Sequence, residues 1–229
     1  TYSQLEFKRL LEESDVKNLI IFLDEMAILA EHKEAAYWLR HISKWEKPKI
    51  RIVIAGTYAD LIKVTSAAMG SGPFNEFEHY EIQEISKQDA VDLLVKPVLG
   101  FYRYEANALE ELLKLCYGRP FFLNLMAKLA LKFVQLEGGR VIRLSHIELA
   151  RKEAIFMLGS WFEAFLLELD ISTRSALPKL IQDHSASLPG VYAETLRSAG
   201  LAVGPRSKMQ FCPLFIDYWN LMFQKGEGQ

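Results

Sequence analysis

Several features that would identify a function directly are scarce in this chain. Its 229 residues include only two cysteines, Cys116 and Cys212, which lack metal-ligand spacing and are typical of reduced core thiols in a cytoplasmic protein. The formal net charge is −2, so no basic field predicts nonspecific binding to nucleic acid. No apolar run approaches the roughly 20 residues that span a bilayer, so we expect no membrane partner.

The chain also lacks a signal peptide before its first helical pattern, which favours a cytoplasmic location. It begins at Thr1 in what already has the pattern of domain sequence. We therefore expect it to be a fragment of a longer protein.

What the chain does have is an apolar run that ends in two carboxylates, Asp24 and Glu25. The run at 18–23 predicts a strand buried on both faces, as in the middle of a parallel sheet. An unpaired charge at the end of such a strand would be costly unless a metal, a water or a basic ligand offset it. Open α/β sheets bind their ligands at this end of the strands, so the doublet predicts a site.

A second strand is predicted close to the first. A helical pattern covers 33–47, and the apolar segment 50–56 follows after Pro48. Strand, helix and strand in this order predict a βαβ unit with parallel strands. Thr57 ends the second strand, where it could contact a γ-phosphate or its attacking water, or could cap the next helix. Both roles stay open.

The rest of the chain is predominantly helical in pattern. Ser86 and Asp89 predict a capped start for a helix over 87–95, and Gly118 and Pro120 separate two further helices. After Gly138 the pattern ends with a short hairpin, which is typical of a winged helix-turn-helix. The other predicted elements are helices over 2–13, 58–69, 105–116, 120–135, 145–169 with a break at Gly159, 173–184, 191–199 and 214–223, and strands over 79–85, 201–203 and 209–212.

The acidic doublet fits phosphate chemistry. Asp24 could hold Mg²⁺ through water, because this ion keeps much of its hydration shell, and Glu25 could orient or deprotonate the water that attacks a γ-phosphate. The alternative is that the pair only opens the following loop.

Arg119 lies between a helix-ending glycine and a helix-starting proline. Gly118 and Pro120 are explained by helix punctuation alone. Arg119 is not, because a cation near a helix N-terminus is unfavourable and calls for a nearby anion such as phosphate.

The last block carries three basic residues, Arg197, Arg206 and Lys208, around its predicted recognition helix and wing. DNA-binding domains normally gather a denser basic face. A solvated surface is therefore favoured over DNA binding.

In their order, these segments resemble the STAND class of signal-transduction ATPases, within the AAA-like P-loop superfamily. The resemblance rests on the Walker B-like 20–25, the sensor-1-like 54–57, the loop at 71–75, the Gly-x-Pro lid motif in 116–123, and the ending 198–215. It implies an α/β partial P-loop NTPase sheet over 1–85, an all-α lid over 86–140 and a winged helix-turn-helix domain over 141–229.

The resemblance also implies ligands and roles. ATP or ADP and Mg²⁺ would be the cofactors, with Glu25 catalytic, Asp24 on the metal through water, and Thr57 and 118–120 at the nucleotide. Bound ADP would clamp sheet, lid and winged helix together, and exchange for ATP would permit association with itself or with a protein partner.

One part of the family pattern is missing. No Gly-x₄-Gly-Lys-Ser/Thr occurs in the sequence, so the loop that cradles phosphates is absent. The family places this loop before the position of Thr1, so we expect a gap in the sheet and weak nucleotide binding by the fragment alone. Two alternatives stay open: a DNA-binding AAA-like protein akin to origin-recognition initiators, and a catalytically inactive interaction scaffold.

Overall fold

A computed structural model gives the fold over most of the chain. It describes residues 4–25, 32–56, 77–78, 80, 82–182, 192–193, 196–197, 200–204 and 209–223. The predicted helix over 58–69, the loop at 71–75, Thr57, Arg206 and Lys208 lie outside the described residues. The chain divides into two compact units, which we call the sheet unit (Thr1–Glu81) and the helical unit (Ile82–Gln229).

The described part of the sheet unit is a strand–helix–strand arrangement preceded by a helix. Its elements are α1 (Gln4–Glu13), β1 (Asn18–Leu23), α2 (Lys33–Ser43) and β2 (Lys49–Ile54). The two strands are parallel, with Leu19 beside Ile50 and Leu23 beside Ile54. The predicted βαβ order and parallel pairing are therefore present.

One face of this strand pair is covered. Ile50, Ala36, Leu39 and Ile42 are buried together, and the aromatic rings of α1 and α2 pack around them. The opposite face holds Ile20, which is 58% exposed, and Phe22, which is 74% exposed. Our expectation of a strand buried on both faces was wrong, because the described helices of this unit pack against one face of the strand pair.

Among its described residues, the helical unit has six α-helices with assigned bounds, one 3₁₀ turn and two small sheets. Its elements are α3 (Lys87–Val95), a 3₁₀ turn (Lys96–Val98), β3 (Arg103–Tyr104), α4 (Ala106–Cys116), α5 (Pro120–Leu136), β4 (Val141–Ile142), α6 (Leu144–Glu168), α7 (Ile171–Gln182), β5 (Ala202–Val203), β6 (Gln210–Phe211) and α8 (Pro213–Phe223). Residues 192–193 and 196–197 are also helical. One hydrophobic core runs from Ala90 to Tyr218, so the predicted lid and winged-helix segments share it.

Two of the predictions made from neighbouring residues are confirmed. The Ser86 hydroxyl accepts a hydrogen bond from the backbone N–H of Asp89 and caps α3, as its sequence predicts. The predicted hairpin is present, because β5 pairs antiparallel with β6.

Other predictions fail. The described residues of 79–85 form no strand; instead, the Ile85 backbone N–H donates to the Gly118 carbonyl at 2.9 Å. Helix α6 continues through Gly159, where a Cβ would lie 3.7 Å from the Tyr218 ring, so close packing rather than a break accounts for this glycine. The parallel pairing of β3 with β4 was not predicted.

Candidate functional site

The acidic doublet lies at the end of β1 that open α/β sheets use for ligands. Asp24 and Glu25 follow Leu23 directly, and the Ala55 backbone N–H donates to the Leu23 carbonyl at 2.8 Å. Because β1 and β2 are parallel, the carboxyl ends of both strands lie at the same edge of the strand pair as the two carboxylates. The predicted placement of the doublet at a strand's carboxyl end is confirmed.

The backbone of the doublet is sharply turned. Glu25 has φ +56°, a left-handed conformation that L residues adopt infrequently, and its N–H donates to Asp24 Oδ1 at 2.9 Å. This bond fixes the Asp24 carboxylate against its own backbone. A carboxylate has two oxygens with several lone pairs, so it retains capacity for a metal-bound water.

Both doublet residues are exposed to solvent. Their charges are therefore not buried, and burial does not require a metal, a water or a basic ligand beside them. Because they are exposed, a hydrated cation can reach them. Mg²⁺ commonly keeps several of its waters when it binds to one or two carboxylates and to phosphate oxygens.

Gly118 in the helical unit lies so close to the backbone of Ile85 that a side chain would not fit there. It has φ +72°, and a Cβ added there would lie 2.6 Å from the Ile85 carbonyl oxygen. Together with the left-handed Tyr117, it closes α4 and turns the chain toward α5, where Pro120 occupies the first turn. The predicted punctuation by Gly118 and Pro120 is confirmed.

The Arg119 guanidinium binds backbone carbonyls of the C-terminal hairpin region. Its Nη2 donates to the Ala202 carbonyl at 2.7 Å and its Nη1 to the Gly200 carbonyl at 3.2 Å. Gly200, at φ +73°, follows the helical residues 196–197, and its N–H donates to the Arg197 carbonyl. A cation at the end of a helix is favourable, so Arg119 stabilises this terminus.

The anion that Arg119 calls for is present in the helical unit. Glu84 Oε1 lies 3.8 Å from Arg119 Nη2, and its Oε2 lies 3.8 Å from Arg197 Nη2. The Arg119 side chain is 20% exposed, and its burial lowers the pKa of the guanidinium, an effect that Cys212 and Glu84 oppose. A phosphate is thus not needed to explain Arg119. Glu84 could not be predicted as this partner, because it lies 35 positions away in a segment predicted as a strand.

Arg197 is unsuited to reading DNA in this arrangement. Its side chain is only 10% exposed and faces Glu84. The other two basic residues of that set, Arg206 and Lys208, lie outside the described residues.

The predicted site residues fall in both units. Asp24 and Glu25 belong to the sheet unit, whereas Gly118, Arg119 and Pro120 belong to the helical unit with Glu84.

Neither of two clefts that described residues line contains a predicted site residue. A cleft of about 670 Å³ lies along the outer side of α2, and one of about 510 Å³ lies between α3 and α5. Within the described ranges, no group of three or more His, Cys, Asp or Glu residues could hold a metal. No helix in the same ranges is long and apolar enough to cross a membrane.

Cys116 and Cys212 are both free and buried. Burial raises the pKa of the Cys212 thiol to about 11 and raises that of Cys116 further. Because the thiolate is the reactive form, neither cysteine is suited to nucleophilic chemistry.

Comparison of the chain with family models, with curated proteins and with solved structures gave no match. The functional assignment therefore rests on the residues of the site.

Removal of the Arg119 side chain tests its structural role. We expect Arg119→Ala to lower the free energy of unfolding by about 3 kcal/mol, because two partly buried carbonyls and the Glu84 carboxylate lose their partner. Urea unfolding followed by far-UV circular dichroism measures the loss. Arg140→Ala, at an exposed position, is the matched control and should change stability by less than about 0.5 kcal/mol. Equal effects in the two variants would contradict the role assigned to Arg119.

Proposed function

We propose that this chain is part of an ATP-binding and ATP-hydrolysing switch of the STAND or AAA-like class, in a cytoplasmic protein. The observation that carries the proposal is the position of Asp24 and Glu25, at the shared carboxyl end of two parallel strands joined by a helix. Open α/β sheets bind ligands at this edge, and carboxylates there can serve a magnesium nucleotide.

The proposed roles follow from the geometry of the turn. Asp24, held by the Glu25 N–H, would bind Mg²⁺ through a water and so keep the metal at the β- and γ-phosphates. Glu25 would accept a proton from the attacking water as its oxygen bonds to the γ-phosphorus. The bond from that phosphorus to the bridging oxygen breaks, and ADP leaves with inorganic phosphate.

A phosphate cradle must come from residues other than these. The sequence has no P-loop motif, so we propose that the 229 residues supply the metal and water side of the site. Thr57, outside the described residues, stays a proposed contact to the γ-phosphate or its water.

Arg119 offers a way for nucleotide to act on the hairpin. A phosphate drawn to Arg119 would compete with Glu84 and with the carbonyls of Gly200 and Ala202 for the same guanidinium. Loss of those bonds would loosen the end of the helix at 196–197. The proposed switch therefore has two arrangements that nucleotide can prefer unequally, as any such switch requires. Gly118 and Pro120 hold Arg119 in place, and self-association or a protein partner would read the outcome.

The test is a nucleotide titration of the gene product that contains these residues. We expect Asp24→Asn to weaken Mg·ATP binding roughly tenfold and to leave metal-free ATP binding unchanged, because only the metal contact is lost. Isothermal titration calorimetry with and without Mg²⁺ separates the two. Asp15→Asn is the control, since Asp15 is, like Asp24, an exposed aspartate of the sheet unit but follows α1 instead of a strand. If neither the wild type nor the variants bind Mg·ATP, the proposed nucleotide site is refuted.

A further inference from the structure

Helix α6 exposes an apolar stripe to solvent. Phe156, near the middle of this 25-residue helix, is 84% exposed, and Leu149 and Leu167 are exposed on the same side, at positions that 3.6 residues per turn bring to one face. Single exposed apolar residues are ordinary on a protein surface. Three large ones along one face of one helix are typical of an interaction surface.

The orientation of α6 is fixed by its opposite face. Ile147, Ala150, Ala154, Leu158 and Phe162 are buried in the core of the helical unit. Because these residues recur every three to four positions, rotating the helix to bury Phe156 would expose them. The stripe is therefore a stable feature of the folded unit.

The stripe is complementary to itself when two copies run antiparallel. With a twofold axis midway between Phe156 and Ser160, Phe156 of one copy meets the small Ser160 of the other, and Leu149 meets Leu167. The small Ser160 then leaves room for Phe156 near the axis, and the two leucine pairs add apolar contacts toward the ends of the interface.

The charges on this face match the same register. In this register, Lys152 of one copy would lie beside Glu163 of the other, and the twofold axis would repeat the pair. Both residues are exposed. Opposite charges at these positions favour antiparallel pairing over a parallel arrangement, in which Lys152 would face Lys152.

We propose that α6 is the contact surface of a twofold homodimer, with a second copy of this chain as its occupant. The contact is isologous, since each copy presents the same stripe. One helix on each side makes a small interface, so the dimer belongs to the transient class. This inference rests on α6 alone and goes beyond the proposed nucleotide chemistry.

Sedimentation velocity of the chain without nucleotide tests the proposal. We expect the weight-average mass to rise toward twice the monomer value with increasing concentration. Phe156→Glu should leave a monomer at every concentration, because it places two charges in the apolar centre of the interface. Phe101→Glu is the matched control: Phe101 is 72% exposed after the 3₁₀ turn, and its replacement should leave the dimer intact.

A charge exchange tests the register. Lys152→Glu and Glu163→Lys should each weaken the dimer roughly tenfold, and the double variant should restore it, because the pair is then reversed and again opposite. Helical content by circular dichroism should be the same in all variants. A wild type that stays monomeric, a dimer that persists in Phe156→Glu, or a double variant without recovery would each overturn the proposal. Failure here leaves the nucleotide titration unaffected, since that experiment does not depend on α6.

Discussion

Replacing Gly118 with alanine should destabilise the helical unit by about 3 kcal/mol or more. The left-handed backbone alone accounts for about 1 kcal/mol, and a Cβ placed 2.6 Å from the Ile85 carbonyl oxygen adds at least a further ~2 kcal/mol. Backbone must move, because the nearest contact atom is a backbone oxygen and not the far end of a flexible side chain. The shift also strains the hydrogen bond from the Ile85 N–H to the Gly118 carbonyl.

Gly138→Ala separates the two contributions. Gly138 has nearly the same backbone angle, φ +67°, but a Cβ there meets nothing within 4 Å. We therefore expect this control to lose only about 1 kcal/mol. Urea unfolding monitored by far-UV circular dichroism measures both variants, since the helices of this unit dominate that signal. Equal losses would show that the approach of Ile85 to Gly118 contributes nothing.

The sequence was informative where a structure depends on neighbouring residues. β1 at 18–23 and α3 at 87–95 have the bounds that were predicted, because an apolar run and a Ser86 cap are local signals. Gly118 and Pro120 also act as predicted, since a left-handed helix end and a first-turn proline depend on the residues themselves.

The failed predictions depend on contacts between distant segments. The segment 79–85 was predicted as a strand from its alternation, but its described residues form none, and the Ile85 N–H donates to the carbonyl of Gly118 instead. Gly159 looked like a helix break, but it is a place where α6 passes close to α8. The exposure of Phe22 depends on which face the helices cover, and the pattern of β1 alone does not specify that.

The site was predicted in part for the same reason. The position of Asp24 and Glu25 follows from the strand that precedes them, and the structure has them at its end. The partner of Arg119 could not be predicted, because Glu84, Gly200 and Ala202 meet it only through the tertiary fold. Roles at a nucleotide stay predictions for all of these residues.

The second large effect is expected at Glu25. Glutamine keeps the size and hydrogen-bonding reach of the side chain but cannot accept a proton from water, so Glu25→Gln should lower kcat for ATP hydrolysis roughly 100-fold or more. KM should change little, because the group acts on the water and not on nucleotide binding. Glu46→Gln is the control, since Glu46 is an exposed carboxylate in the turn before β2, at the opposite end of the strands.

The decisive experiment measures Mg²⁺-dependent phosphate release by the gene product that contains these residues, side by side with its Glu25→Gln and Glu46→Gln variants. The proposed switch predicts turnover in the wild type and in Glu46→Gln, and its near-complete loss in Glu25→Gln. Turnover that Glu25→Gln leaves unchanged, or a wild type that releases no phosphate, would contradict a hydrolytic role for the acidic doublet.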